Sequence, residues 1–287
     1  MTCLVAAARP DDVVLSLQGV SIASRITSKP VVQGVTFSLR RGRAIGIVGE
    51  SGSGKTLTCR AILGILPDVF QISGGTIELD GRDVHTFSRK EWSEARGSVI
   101  SGVFQDPASY LNPAMRVGKQ IEEIFRVKRN VRRRSAKAEV LHLFESLHLR
   151  DPELVFEQYP QELSGGMVQR VLIASAVALA PAVLIADEAT TALDVTVQAE
   201  ILDLLVDLQR GTGLALVVVS HDLAVVAQLC DEVLVMKSGE VLESGPVDEI
   251  LGRPRHSYTQ SLVREHGTYG LGRFRATSEG EPLEHAS

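Results

Sequence analysis

A glycine-rich octapeptide between an apolar run and a helix-compatible segment constrains the fold of this 287-residue chain more than any other feature. It follows the apolar run Ala44–Val48 and precedes Lys55–Leu66, whose composition is compatible with a helix. The octapeptide fits the pattern G-x-x-x-x-G-K-[ST], and its residues are Gly49, Glu50, Ser51, Gly52, Ser53, Gly54, Lys55 and Thr56. Backbone N–H groups of such a loop surround a phosphate, and the helix N-terminus adds partial positive charge. The sequence therefore predicts a nucleotide-binding α/β fold, in which a kinase, a GTPase and an ATPase remain possible.

Two residues of this loop have side chains suited to a nucleotide. Lys55 can supply a full positive charge to the β and γ phosphates. The hydroxyl of Thr56 can ligate Mg²⁺, a hard cation that prefers oxygen ligands. The loop therefore predicts both a phosphate site and a neighbouring metal site.

An acidic pair, Asp187 and Glu188, follows the apolar run Val183–Ala186. Open α/β folds bind their ligands at the carboxyl edge of the parallel strands. We expect Asp187 to hold Mg²⁺, directly or through water, and Glu188 to polarise the attacking water as a general base. His221 follows the next apolar strand and is expected at the same edge, where it can contact the γ-phosphate. The structural alternative is a helix that simply begins with two acids.

The order of the predicted elements indicates a parallel sheet with two additions. Two alternating runs, Val14–Gln18 and Val35–Leu39, predict half-buried antiparallel strands near the N-terminus. Residues of about 106–165 have helical apolar spacing and predict a mostly helical insert. After it, helices and strands alternate, which is typical of a parallel sheet wrapped by helices. These later elements are helix Met167–Leu179, strand Val183–Ala186, helix Val195–Arg210, strand Leu214–Ser220, helix Leu223–Leu229 and strand Glu232–Met236.

Composition argues against several classes of protein. The 30 Lys and Arg and the 35 Asp and Glu give a net charge of −5, whereas a nucleic-acid-binding domain would be basic. Three cysteines without a C-x-x-C clip favour a reducing compartment. The longest apolar run, Val171–Ala186, is shorter than the ~18–20 residues that span a bilayer, and Pro181 interrupts it. We therefore expect that the chain does not cross a membrane by itself.

Together these motifs resemble those of the ATP-binding cassette (ABC) ATPases. The run Leu163–Arg170 (LSGGMVQR) resembles the signature motif of that family. Gln105 matches its Q-loop, Thr191–Asp194 its D-loop, and His221 its switch histidine. The resemblance covers residues 13–265 and implies a P-loop NTPase fold there. That fold has a RecA-like, mostly parallel sheet, an N-terminal antiparallel β-subdomain and an α-helical subdomain inserted at about 106–165. The polar and glycine-rich composition of residues 266–287 predicts a loose tail.

The resemblance also implies that ATP is held between two subunits. The loop of one subunit and the signature residues of the other would sandwich each nucleotide. The residues implied to contact ATP are Gly49, Glu50, Ser51, Gly52, Ser53, Gly54, Lys55, Thr56, Ser164, Gly165, Gly166 and Asp194. The implied Mg²⁺ ligands are Thr56, Gln105 and Asp187, and the implied catalytic residues are Glu188, His221 and Gln105.

Finer features resemble the dipeptide, oligopeptide and nickel importer branch of the family. The branch resemblance lies in Phe104–Pro113, the methionine of LSGGMVQR, and a C-terminal element at Pro254–Thr259, within an extension at about 246–265. It implies a motor subunit at the cytoplasmic face of the membrane. The implied partners are a second ATPase subunit (a paralogue or a second copy), two separate membrane permeases and, indirectly, an extracytoplasmic substrate-binding protein. No nucleic acid is expected, and peptides, nickel and metal chelates all remain possible substrates.

Three departures from the family pattern leave alternatives open. Ala189 stands where the family commonly has proline after the catalytic glutamate. The stretch Val20–Thr27 lacks the aromatic on which the family stacks adenine, and Arg25 is the possible substitute. No cysteine follows Cys230, so we expect no iron–sulfur site. The alternatives are a regulatory cassette that binds ATP with little hydrolysis and a soluble ABC protein that acts on ribosomes or DNA. His256 and Tyr258 of the C-terminal element are expected only to pack in the core.

Overall fold

The computed structural model describes residues 12–104, 110–189 and 193–267. The strands in these ranges are β1 (Val13–Ser24), β2 (Pro30–Arg40), β3 (Ala44–Val48), β4 (Phe70–Leu79), β5 (Arg82–Asp83), β6 (Ile100–Val103), β7 (Val183–Asp187), β8 (Ala215–Val219), β9 (Glu232–Lys237) and β10 (Glu240–Pro246). The helices are α1 (Lys55–Ile62), α2 (Arg89–Ser98), α3 (Val117–Arg129), α4 (Arg133–Ser146), α5 (Pro152–Glu157), α6 (Gly165–Val177), α7 (Val195–Thr212), α8 (Leu223–Leu229), α9 (Val247–Gly252) and α10 (Ser257–Gly267).

The strands form one sheet in the order β5-β4-β1-β2-β10-β9-β3-β8-β7-β6. The five strands from β9 to β6 are parallel to one another, whereas β5, β4, β1 and β2 pair antiparallel. Strand β10 joins the two parts, because it pairs parallel with β2 and antiparallel with β9. The predicted α/β fold, with a parallel sheet and an antiparallel N-terminal part, is confirmed.

The register of the parallel strands brings three chain segments to one edge. Ile47 in β3 pairs with Val219 in β8, and Val219 pairs with Asp187 in β7. The glycine-rich loop, the acidic pair and the segment that carries His221 therefore all begin at the carboxyl edge of these strands.

The helices of the insert pack around buried aromatic side chains. Phe125 of α3, Phe144 of α4 and Phe156 of α5 all lie in one apolar cluster that also includes residues of α6 and α7. At Gly118 in α3 an added Cβ would lie 2.2 Å from the ring of Phe156, so α3 and α5 touch where only glycine fits. The predicted helical character of this region is confirmed in the ranges that the structure describes.

Several predicted boundaries differ from the observed ones. Helix α1 ends at Ile62 instead of Leu66, because Gly64 adopts a left-handed φ of +64°. Strands β1 and β2 are longer than predicted. The expectation that β1 is half-buried is wrong for its first half, where Val14 to Leu17 are all buried because the strand pairs with β2 on one side and β4 on the other.

Residues 240–267 form β10, α9 and α10, which the apolar pattern did not predict. Tyr258 and Leu262 of α10 are buried against α8, β9 and Val48, the last residue of β3. The C-terminal helices therefore pack against Val48, the residue that immediately precedes the glycine-rich loop.

Candidate functional site

The glycine-rich loop begins where β3 ends and adopts a conformation that depends on its glycines. Gly49, Gly52 and Gly54 have φ values of +149°, +80° and +102°. A Cβ at Gly49 would lie 2.0 Å from the carbonyl oxygen of Met236, and one at Gly54 would lie 2.8 Å from Val32. Gly54 also caps α1 in a left-handed conformation. The loop therefore wraps the N-terminus of α1 with a backbone path that larger residues would disturb.

Lys55 lies at the centre of this loop and is only 6% exposed. Its Nζ donates to the carbonyl oxygens of Gly49 and Glu50, at 2.7 and 2.9 Å. Burial lowers the pKa of Lys55, and the charges of Glu188 and Asp187 oppose that shift. The loop thus holds a buried ammonium group close to two carboxylates.

Ser53 presents a buried hydroxyl inside the loop. The residue is 3% exposed, and among the described residues its Oγ has no hydrogen-bond partner. A buried hydroxyl without a partner is costly unless a ligand satisfies it. A phosphate oxygen is a suitable acceptor, so this atom fits the predicted anion site.

The acidic pair lies against the same loop. The Thr56 hydroxyl donates to Oδ1 of Asp187 at 3.4 Å, and Asp187 is 3% exposed. Burial raises the pKa of Asp187, whereas the Thr56 hydrogen bond opposes the rise. Two hard oxygens 3.4 Å apart suit Mg²⁺, which binds oxygen at about 2.1 Å and keeps further positions for water or phosphate. Among the described residues no group of three or more His, Cys, Asp or Glu is arranged to hold a metal.

Glu188 and His221 come together at the edge of the sheet. The Glu188 N–H donates to the carbonyl of Val219 at 2.9 Å, and its φ of +52° is unusual for a residue with a side chain. His221 Nδ1 lies 3.7 Å from Glu188 Oε1, and the imidazole is exposed. The left-handed turn at Glu188 therefore places its carboxylate beside the histidine at the mouth of the site.

A second group of predicted residues lies at the N-termini of α6 and α7. Ser164 caps α6, and its hydroxyl accepts from the Met167 N–H at 3.3 Å. Asp194 caps α7, where its Oδ1 accepts from the Val197 N–H at 3.0 Å. A Cβ at Gly166 would lie 2.6 Å from Val197, so the two helix starts are in close contact. Ser164 and Gly165 are exposed, which leaves this pair of helix N-termini open to an anion from outside.

Not every residue that the sequence singled out is found at the site. Gln105, the predicted catalytic and Mg²⁺-binding residue, lies outside the described residues, as does Thr191. Arg25, the possible partner for adenine, donates from Nε to the carbonyl of Phe70 at 3.1 Å, so its guanidinium is held by β4. Ala189 packs against the apolar cluster of α6, α7 and α8.

Sequence reasoning missed one contact at this site. Tyr258 was expected only to pack in the core, but its hydroxyl accepts a hydrogen bond from the backbone N–H of Glu50 at 3.0 Å. The two residues are 208 positions apart, so no local pattern could indicate that they meet.

Comparison with known proteins gives a family match. The sequence profile described as ABC transporter matches residues 32–191. The chain is 46% identical over 233 residues to the oligopeptide transport ATP-binding protein OppD of Bacillus subtilis, and the match covers 81% of this chain and 65% of that protein. It is 42% identical over 233 residues to the dipeptide transport ATP-binding protein DppD of Escherichia coli, covering 81% of this chain and 71% of that protein.

Solved structures share the architecture at lower identity. CbiO1 of Clostridium perfringens, described as part of the ABC transporter complex cbiONQ, superposes with a TM-score of 0.74 at 26% identity, covering 94% of this chain and all of that chain. The ATP-binding cassette MJ0796, solved as a dimer in a post-hydrolysis state with ADP and Pi, gives a TM-score of 0.71 at 25% identity, covering 81% of this chain and 98% of that chain.

Proposed function

Because the chain belongs to the ABC transporter family, we propose that it is the ATP-hydrolysing motor subunit of a peptide importer. The family predicted from the sequence motifs is confirmed by these matches. The substrate class rests on the relatives, which are named for oligopeptides and dipeptides, and it favours peptides over the nickel and metal chelates that the sequence left open. The chain spans about two thirds of the length of these relatives, 65% of OppD and 71% of DppD.

The observation that carries the proposal is the convergence of the buried Lys55, the acidic pair and His221 at one sheet edge. The ammonium of Lys55 and the loop N–H groups bind and orient the β and γ phosphates. The Glu188 carboxylate accepts a proton from a water molecule as the water oxygen attacks the γ-phosphorus, and the bond to the β–γ bridging oxygen breaks to give ADP and phosphate. In the proposed reaction His221 donates to a γ-phosphate oxygen, and its position 3.7 Å from Glu188 supports this role.

Mg²⁺ fits the oxygens of Thr56 and Asp187. When bound there it would neutralise phosphate charge that develops during the reaction. Asp187 is buried beside Thr56, so the two residues would hold the ion through one carboxylate and one hydroxyl oxygen and leave its other positions to phosphate and water. The family resemblance also implies that Gln105 binds this metal, and that role stays a prediction.

The exposed helix N-termini of α6 and α7 supply the surface for a second ATPase subunit. Ser164, Gly165 and Gly166 present backbone N–H groups at the start of α6, and Asp194 lies beside them at the start of α7. In the proposed assembly these residues contact the nucleotide bound by the partner's loop. Dimers of the related cassette MJ0796, one of them with ADP and Pi, support this arrangement. The partner is a second copy or a paralogue.

The membrane part of the transporter would be supplied by other chains. No helix in the described ranges has the length and apolar character needed to cross a bilayer. From the likeness of this chain to ATP-binding proteins of peptide transport, the proposal includes two permease subunits, a peripheral position at the cytoplasmic face of the membrane, and an extracytoplasmic binding protein that delivers the peptide.

The test begins with nucleotide binding by the purified 287-residue chain. ATP affinity is measured for the wild type, for Lys55→Ala, and for Lys90→Ala, which removes an exposed lysine of α2 as a matched control. We expect Lys55→Ala to lose most of its affinity and Lys90→Ala to keep it. Equal affinity in all three proteins would contradict the phosphate-binding role of the loop.

The transport proposal needs a second measurement. The chain is reconstituted with its permeases, its partner ATPase and its binding protein in vesicles, and peptide uptake is followed with ATP and with a non-hydrolysable analogue. We expect uptake only with ATP. A purified chain that binds ATP but shows no hydrolysis in the complete assembly would instead indicate a regulatory cassette.

A further inference from the structure

The C-terminal helix α10 reaches the phosphate-binding loop through one side chain. Tyr258, the second residue of α10, is 8% exposed, and its hydroxyl oxygen accepts the hydrogen bond from the Glu50 N–H at 3.0 Å. Glu50 is the second residue of the loop and follows Gly49, where the chain leaves β3. The bond therefore fixes the loop at the point where it departs from the sheet.

Tyr258 is itself held from several sides. Its ring lies in the apolar cluster that contains Val48, and the Lys237 ammonium lies 4.2 Å from the ring centroid. Its backbone N–H donates to Nδ1 of His256 at 3.1 Å. The backbone N–H of His256 donates to the carboxylate of Glu243 in β10 at 3.1 Å. The Tyr258 backbone is thus held to β10 through His256, and its ring is held by the apolar cluster and by Lys237.

Burial raises the pKa of Tyr258, the Glu50 N–H bond opposes that rise, and the Glu50 carboxylate adds to it. The phenol is therefore neutral at physiological pH, and its oxygen remains an acceptor for the amide.

Glu50 is also one of the two residues, with Gly49, whose carbonyl oxygens hold the Lys55 ammonium. Its carbonyl oxygen accepts from Lys55 Nζ at 2.9 Å and from the Ser53 N–H at 3.2 Å. The Ser53 carbonyl accepts from the Gly239 N–H at 3.1 Å. A shift of Glu50 would therefore move the carbonyl that holds the ammonium and loosen the turn that contains the buried Ser53 hydroxyl.

We propose that Tyr258 is a positioning residue for nucleotide binding, which acts by fixing the Glu50 peptide and so pre-organising the loop around Lys55. This inference rests on the proposed function of the loop as an ATP site. It makes α10 part of the nucleotide site, although no atom of α10 need contact ATP. A loop that is already ordered pays less conformational entropy when the phosphates bind.

The test is Tyr258→Phe in the full chain, because this change removes the hydroxyl and leaves the ring in its cluster. The net contribution of one such hydrogen bond corresponds to about a three- to tenfold change in an equilibrium. We expect the dissociation constant for ATP to rise by that factor. In the assembled transporter, KM for ATP should rise while kcat changes less than twofold.

Val263→Ala serves as the matched control. Val263 packs in the same apolar cluster from the next turns of α10 and has no polar side-chain group. We expect this variant to lose thermal stability while its ATP affinity stays within about twofold of wild type. A merely structural role of α10 would instead lower the affinity of both variants alike.

A second readout does not depend on activity. Hydrogen exchange of the Glu50 amide in nucleotide-free protein should accelerate by about three- to tenfold in Tyr258→Phe and stay unchanged in Val263→Ala. Wild-type exchange at Glu50 or wild-type ATP affinity in Tyr258→Phe would each overturn the inference. Full ATP affinity in Lys55→Ala would overturn the proposed function itself, whatever Tyr258→Phe shows.

Discussion

Replacing Glu188 by Gln exchanges one carboxylate oxygen for an NH₂ group and keeps the volume of the side chain. The Glu188 N–H bond to the Val219 carbonyl belongs to the backbone, and the His221 imidazole stays within reach of the changed group. Lys55 and Asp187 are buried and unaltered. The variant therefore loses the proton acceptor and retains the groups that position the phosphates.

The expected loss of ATPase activity follows because the variant lacks only the proton acceptor. A general base contributes about 10²- to 10⁴-fold to a rate, so steady-state hydrolysis should fall by that factor. ATP affinity should be equal to or tighter than that of the wild type, because the substitution removes a negative charge beside the γ-phosphate site. The assay is phosphate release at saturating Mg-ATP, together with a direct titration of ATP binding.

The matched control is Glu123→Gln, the same chemical change at an exposed position of α3. It should hydrolyse ATP at the wild-type rate. Hydrolysis by Glu188→Gln within tenfold of the wild-type rate, with normal ATP binding, would refute the assignment of Glu188 as the base.

Two other substitutions test the energetics of the site and of the insert. Burial raises the pKa of Asp187 above its value in the unfolded chain, so its ionised form destabilises the fold once the pH exceeds that raised pKa. In EDTA and without nucleotide, Asp187→Asn should therefore have a higher Tm than the wild type at neutral pH, and this difference should disappear below about pH 4. The variant should also lose Mg²⁺-dependent hydrolysis. A Tm equal to that of the wild type across this pH range would contradict the expected cost of the buried carboxylate. Gly118→Ala should lower the free energy of unfolding by about 1–3 kcal/mol in denaturant titrations, because its Cβ would lie 2.2 Å from the ring of Phe156. Wild-type stability of this variant would show instead that the insert can repack.

The sequence predicted elements accurately where the apolar pattern was continuous and its ends were marked. Strand β3 (Ala44–Val48) and helix α8 (Leu223–Leu229) have the predicted bounds. Strand β3 is fully buried and lies between glycines, and α8 is a short apolar helix that ends before a polar segment. Both patterns leave few alternative boundaries.

Elements stabilised mainly by tertiary contacts could not be predicted this way. The second half of β1 contains Gly19, Ser21 and Ser24, which break the alternation, and its pairing with β2 shifts register at several points. The exposed and half-buried β10 has no apolar run at all. These segments become strands because neighbouring strands pair with them: β2 and β4 pair with β1, and mainly β9 pairs with β10.

The candidate site likewise has parts that the sequence predicts and parts that it does not. The loop and the acidic pair each follow a predicted parallel strand, so chain order alone placed them at one edge. The left-handed φ of Glu188 is a property of the folded backbone. The contact between Tyr258 and Glu50 joins two residues that are 208 positions apart in the sequence. No pattern within either segment contains that information.

The most direct test of the account is a structure of the Glu188→Gln chain bound to Mg-ATP together with its partner ATPase subunit. We expect the γ-phosphate to contact Lys55 of one protomer and the serine–glycine N-terminus of the facing subunit's signature helix. A nucleotide held by one protomer alone, or bound away from the glycine-rich loop, would contradict the account.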